Sequence, residues 1–163
     1  MGGYGSGRTQ EKHTVEACRI LSAGMLQRNK LLREGLFTFA TLTWTNTDTG
    51  ESASSIGCLV YTIDAARVLR LSYAIASTGE KMDYPVRLTT TPLPWGGVRW
   101  DFVCPGWNCG RVCRKLYLPP GGRYFACRLC YRLTYTSSQE AHKFDGFFRR
   151  MGITPAQAKD MFG

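Results

Sequence analysis

The sequence predicts an α+β protein: an N-terminal helix, an antiparallel β meander forming a sheet or partial barrel, a four-cysteine zinc ribbon and a short C-terminal helical segment. Three observations carry that expectation. Apolar residues recur at helical spacing from Thr14 to about Glu34, then alternate strictly between Leu36 and Cys104. The alternation ends at two cysteine pairs, Cys104-x4-Cys109 and Cys127-x2-Cys130, separated by the length of a hairpin. The expected divisions are a glycine-rich tail at 1–13, a helix plus antiparallel β domain at 14–98, the ribbon at 99–136 and the helical segment at 137–163.

The opening segment, from Met1 to Arg8, holds four glycines and is expected to be a solvated tail. It fits the loose myristoylation pattern through Gly2 and Ser6, but nothing else in the sequence supports a lipid anchor. In the helix that follows, Thr14 is an N-cap, Glu16 complements the positive end of the dipole, and Gly35 is the stop. Cys18, Leu21, Met25 and Leu32 fall on one face, and Gly24 is the weak point where the helix would break. Strands are expected at 36–45, 55–63 and 98–104, with two more carrying Leu69, Leu71, Tyr73 and Ile75, and Met82, Tyr84, Val86 and Leu88. Short sequential strands favour a meander, and Pro85 suits an edge.

The charge is concentrated near the cysteines. Residues 1–34 carry six basic against three acidic side chains, 35–98 four against five, and 99–150 ten against three. Such clustering favours a polyanionic partner. No window approaches the roughly 18 apolar residues of a membrane span, and no secretory signal is visible, so a cytoplasmic protein that does not engage membranes is expected. Seven cysteines, four of them in ribbon spacing, fit metal binding in a reducing compartment better than disulfides.

Two thiolate pairs complete a tetrahedral site with every position filled by protein, so Cys104, Cys109, Cys127 and Cys130 are the expected ligands of a structural zinc ion. Gly110, after the second cysteine, lets the backbone fold back so that amides reach thiolate sulfur. Cys113 is the rival to Cys104, since Cys109-x3-Cys113 is also permissible spacing. Cys18, Cys58 and Cys113 are otherwise small buried hydrophobes. Between the pairs, Arg111–Leu118 and Arg123–Cys127 are hairpin arms around Pro119-Pro120-Gly121-Gly122.

The segment Met-Gly-Gly-x-Gly-Ser-Gly-Arg at the start, the run Arg114–Cys130, and Leu133–Glu140 together resemble a group of small bacterial and phage-associated zinc-ribbon proteins. The resemblance covers both ends and, loosely, the strand region. It implies the ribbon and a bacterial or phage cytosolic setting, and it implies no mechanism.

The functional expectation is a non-enzymatic zinc-ribbon protein that binds nucleic acid, DNA or RNA, through a basic and aromatic hairpin surface. Arg111, Arg114, Lys115, Arg123, Arg128 and Arg132 are interleaved with Tyr117 and Tyr124, and Arg149 and Arg150 extend the track. The alternative is a protein-binding adaptor or inhibitor, a phage or mobile-element factor acting on a host nucleic-acid-processing protein. There Trp95, Trp100 and Trp107 would be anchors, although packing between lobes is the simpler expectation for at least two of them. An enzyme is disfavoured: His13 and His142 stand far apart in sequence, and Ser137, Ser138 and Cys113 have no evident base. Asp64, Asp83 and Asp101 are expected at turns or on strand surfaces.

Overall fold

Alternating side chains in the central third of the chain build one open antiparallel sheet in which sequence order and spatial order coincide. The computed structural model describes residues 12–32, 37–45 and 52–138. Strands β2 (Thr38–Thr45), β3 (Ser52–Ile63), β4 (Ala66–Ala74), β5 (Lys81–Pro92), β6 (Val98–Val103) and β7 (Val112–Cys113) lie side by side in that order, each antiparallel to the next. The β3–β4 connection has only Asp64 and Ala65, both at positive φ (46° and 63°), the backbone pair that matches the twist of a two-residue hairpin. One face of the sheet is apolar: Ile56, Cys58 and Val60 lie beside Leu69 and Leu71, then Val86 and Leu88, then Trp100 and Phe102, all buried. Each such aliphatic side chain contributes about 1.5–3 kcal/mol on leaving water.

A second layer covers that face. Strand β1 (Arg19–Ser22) pairs antiparallel with β8 (Lys115–Leu118), and α1 (Ala23–Arg28) follows directly. Leu21, Ala23, Leu26, Leu116 and Leu118 join Phe125 and the sheet residues in one core cluster, which also contains Cys104 and Cys127. A smaller cluster gathers Val15, Tyr117 and Leu133. Among the described residues, no helix is long and apolar enough to cross a membrane.

Over the described part of the helix expected at 14–34, α-helix is confined to six residues. Val15–Ala17 form a single 3-10 turn entered from Thr14, and Arg19–Ser22 are extended. Pairing of Arg19–Ser22 with Lys115–Leu118 overrides the helical periodicity, since four residues gain ladder hydrogen bonds and Leu21 is fully buried opposite Leu116. The helix then ends at Asn29 and Lys30, the latter at φ 61°, with the Leu31 amide donating to the Leu26 carbonyl. At the other end Thr136–Ser138 are helical, and the remainder of the expected C-terminal segment lies outside the described residues.

Pro85 occupies a local edge. Only Leu88–Pro92 of β5 pair with β6, so among the described residues the half that contains Pro85 has β4 as its one strand neighbour. Aromatic residues instead tie that half to the cysteine-bearing loops. The Tyr84 hydroxyl accepts from the Phe125 amide (2.8 Å) and lies 3.0 Å from the Tyr73 hydroxyl, which donates to the Arg123 carbonyl (2.6 Å). The rings of Tyr73 and Phe125 meet edge to face at 5.8 Å, and Trp44 stacks on Phe125 at 6.1 Å. Burial pushes the Tyr84 phenol up to about 12, so it stays a neutral hydrogen-bonding group across physiological pH. Replacing Tyr84 with Phe strands the buried Phe125 amide and is expected to cost about 1–3 kcal/mol. A urea titration checks this: the midpoint falls while its slope is unchanged, and an unshifted midpoint would show that the bond is dispensable.

Candidate metal centre

The first cysteine pair sits on a loop that leaves β6. The Cys104 amide donates to the Arg111 carbonyl (2.8 Å) and the Cys109 amide to the Gly106 carbonyl (3.0 Å), which closes the loop back on itself. Asn108 and Gly110 take positive φ (50° and 56°) to make the reversal. Gly106 is dictated by contact: a Cβ there would stand 2.7 Å from the Cys130 sulfur, closer than any side chain tolerates. The second pair sits on a tighter turn after Phe125, in which the Cys130 amide donates to the Cys127 carbonyl (3.1 Å) and the Leu133 amide to the Arg128 carbonyl (3.0 Å).

The two loops bring the four sulfurs together, all within 4.8 Å of one another. Cys104 Sγ lies 3.8 Å from Cys130 Sγ, Cys109 Sγ 3.8 Å from Cys127 Sγ, and Cys127 Sγ 3.6 Å from Cys130 Sγ. A tetrahedron of thiolates around zinc at a metal–sulfur distance of about 2.3 Å has edges of about 3.8 Å. Disulfide bonding, at about 2.05 Å, does not fit these separations. The donor set and its edge lengths therefore match a closed four-sulfur metal site. Amides of Gly106 (3.4 Å) and Cys127 (3.1 Å) donate to the Cys104 sulfur, the kind of outer hydrogen bond that stabilises a thiolate ligand. The backbone amide of Arg111 similarly lowers the Cys109 thiol to about 7, whereas burial raises Cys104 and Cys130. A divalent cation is what allows all four to ionise together.

Cys113 lies outside this group. It is paired with Phe102 on β7, and burial raises it to about 12, as burial does for Cys58, so both are neutral thiols. The expected choice of Cys104 over Cys113 follows the fold, because a residue already committed to a ladder has its side chain fixed by the sheet. The hairpin between the pairs is shorter than expected. Its first arm is divided between β7 and β8, and its second meets the first at a single bridge, Tyr117 to Ala126, with both amides bonded (2.8 and 3.1 Å). β8 thus lies between β1 on one edge and this single bridge on the other.

The basic residues divide into two sets. Arg111, Arg114, Lys115 and Arg128 line a groove beside the metal centre together with Tyr117 and Tyr135, and among the described residues no acidic side chain lines it. The Arg128 guanidinium lies over the Tyr135 ring at 5.4 Å. Among the described residues, no carboxylate lies within 4.0 Å of Arg111, Lys115, Arg128 or Arg132. Arg123 instead pairs with Glu80, and Tyr124 packs edge-on against Tyr84, both on the sheet side. Arg149 and Arg150 lie outside the described residues, as do Glu140 and His142.

Two expectations are corrected. Asp101 is not a surface group: it is 1% exposed, with Arg99 Nε 3.0 Å and Arg114 Nε 3.6 Å from its carboxylate oxygens. It anchors Arg114 at the groove from below. Of the three tryptophans near the ribbon only Trp100 is buried; Trp95 and Trp107 are 93% and 94% exposed, because both sit at the tips of connections that turn away from the core. Sequence reasoning also missed Gly106, although Cys-Pro-Gly two residues into a metal loop was a visible signal.

Cobalt loading tests the ligand assignment. The full chain is expected to take up one equivalent with strong thiolate charge-transfer absorption, which Cys113→Ser retains and Cys104→Ser loses; the reverse pattern would exchange their roles. No protein-family description, curated protein or solved structure matches the chain.

Proposed function

We propose that this is a non-catalytic, cytoplasmic protein in which a structural zinc ion shapes a groove that binds single-stranded nucleic acid. The observation that carries this reading is the groove itself: four cations and two tyrosines, with no carboxylate lining it among the described residues. Guanidinium and ammonium groups at Arg111, Lys115 and Arg128 suit phosphates, and Tyr135, held on one face by Arg128, offers its other face to an unpaired base. Half-exposed Val112 and Leu129 at the groove favour bases over a phosphate-lined duplex surface. Helix α1 is no candidate for major-groove reading, since it has six residues and belongs to the core.

One observation supports a second reading. Trp95 and Trp107 are large apolar side chains left in water, as anchors for a partner protein would be. A host nucleic-acid-processing protein is the partner that reading names.

Anisotropy of a labelled single-stranded oligonucleotide separates the two. Affinity is expected to fall steeply with salt. Arg111→Ala, Lys115→Ala and Arg128→Ala should each weaken binding for all sequences and reduce the logarithmic salt slope by about 0.7 per lost phosphate contact. Tyr135→Ala should cost about 1–3 kcal/mol. Binding indifferent to salt and to these arginines, or retention of a lysate protein after nuclease treatment that Trp107→Ala abolishes, would favour the adaptor.

A further inference from the structure

We propose that β2 is a self-association edge, along which two copies of this chain pair antiparallel and join their sheets. Thr38–Thr45 is an eight-residue strand bounding the sheet, and among the described residues it pairs only with β3. It contains no charge, proline or glycine: Thr, Phe, Ala, Thr, Leu, Thr, Trp, Thr. Natural edges are ordinarily blunted by lysine, proline, a bulge or shortness. The opposite edge is: β7 has two residues and is flanked by Arg111 and Arg114. β2 has only an irregularity at its last pair, between Trp44 and Thr45.

Its side chains favour a second copy as the occupant. The strand offers no charge to a charged partner, and strand pairing about a two-fold axis needs none, since the same residues meet their own copies. Side chains of paired residues share a face, so the two-fold passes through a residue and keeps Ala40, Leu42 and Trp44 on the core side of both sheets. Exposed Phe39 (67%) lies on the opposite face, two register positions from Gly57, with Phe37 (73%) just before the strand; a second copy laid along β2 covers part of this apolar surface.

Charge placement favours the same arrangement. The basic groove includes Val112 and Cys113 of β7, the strand farthest from β2 in the sheet. At about 4.8 Å per strand, two sheets joined through β2 keep their grooves roughly 50 Å apart along the sheet, several Debye lengths at physiological salt. Pairing through β7 would instead set like charges face to face. If the groove binds nucleic acid as proposed above, the dimer presents two grooves to one strand, but the pairing itself does not rest on that reading.

Sedimentation equilibrium of the full chain without nucleic acid tests the proposal. The expected result is a reversible dimer of the 18.2 kDa chain. Thr41→Lys with Thr43→Lys, both at exposed positions, should raise its dissociation constant at least about tenfold and leave circular dichroism unchanged. Amide exchange in β2 should be slow in the dimer and fast in the variant. A dimer indifferent to the two lysines overturns the proposal, as does a monomer. In a monomer, slow β2 exchange would assign the edge to another segment of the same chain, and fast exchange would leave it bare.

Discussion

Four sulfurs held within 4.8 Å of one another are the constraint on which the second half of this molecule depends. Thiolates at 3.6–3.8 Å separation repel strongly unless a cation lies between them, so the arrangement is stable as an ionised set only around a metal. The two loops that carry them share few backbone hydrogen bonds. One leaves β6, the other follows β8, and their hairpin contact is a single bridge. Closing the site fixes both loops at once and thereby fixes the groove, since Arg111 and Arg128 each sit next to a ligand or two residues from one. The site has no position left for water or substrate, so its contribution is to folding and shape.

The metal loops are attached to the larger sheet chiefly by uncharged aromatic side chains, with the Arg123–Glu80 ion pair beside them. Tyr73, Tyr84 and Phe125 form a hydrogen-bonded aromatic junction on the half of β5 that β6 leaves open. Cys104, Cys127 and Phe125 belong to the same core cluster as Val60, Leu69 and Val86. Beneath the groove, buried Asp101 pairs with Arg114 and Arg99, so at least one groove cation is positioned from inside. A buried carboxylate with one oxygen lacking a hydrogen-bond partner is costly unless both guanidinium groups stay close, which couples the groove wall to β6.

Much of this was legible in the chain because its signals are local. Alternation at Leu69, Leu71 and Met82–Leu88 reports a half-buried strand wherever that strand ends up, and cysteine spacing reports a metal loop independently of its neighbours. What sequence could not show depends on partners distant along the chain. Arg19–Ser22 are extended because Lys115–Leu118 lie beside them, and helical spacing carries no information about that pairing. Asp101 is buried because Arg99 and Arg114 converge on it. Trp95 and Trp107 are exposed because their turns point outward, which composition cannot encode. Gly106 was readable in principle; its reason, a sulfur 2.7 Å from where a Cβ would be, is visible only in three dimensions.

A closed four-sulfur metal centre is what holds the basic groove in shape. X-ray absorption at the metal edge of the purified full chain tests it most directly. The expected result is zinc with four sulfur neighbours at about 2.3 Å and no lighter ligand. A shell containing nitrogen or oxygen, or a chain that folds with its groove intact and binds no metal, would contradict it.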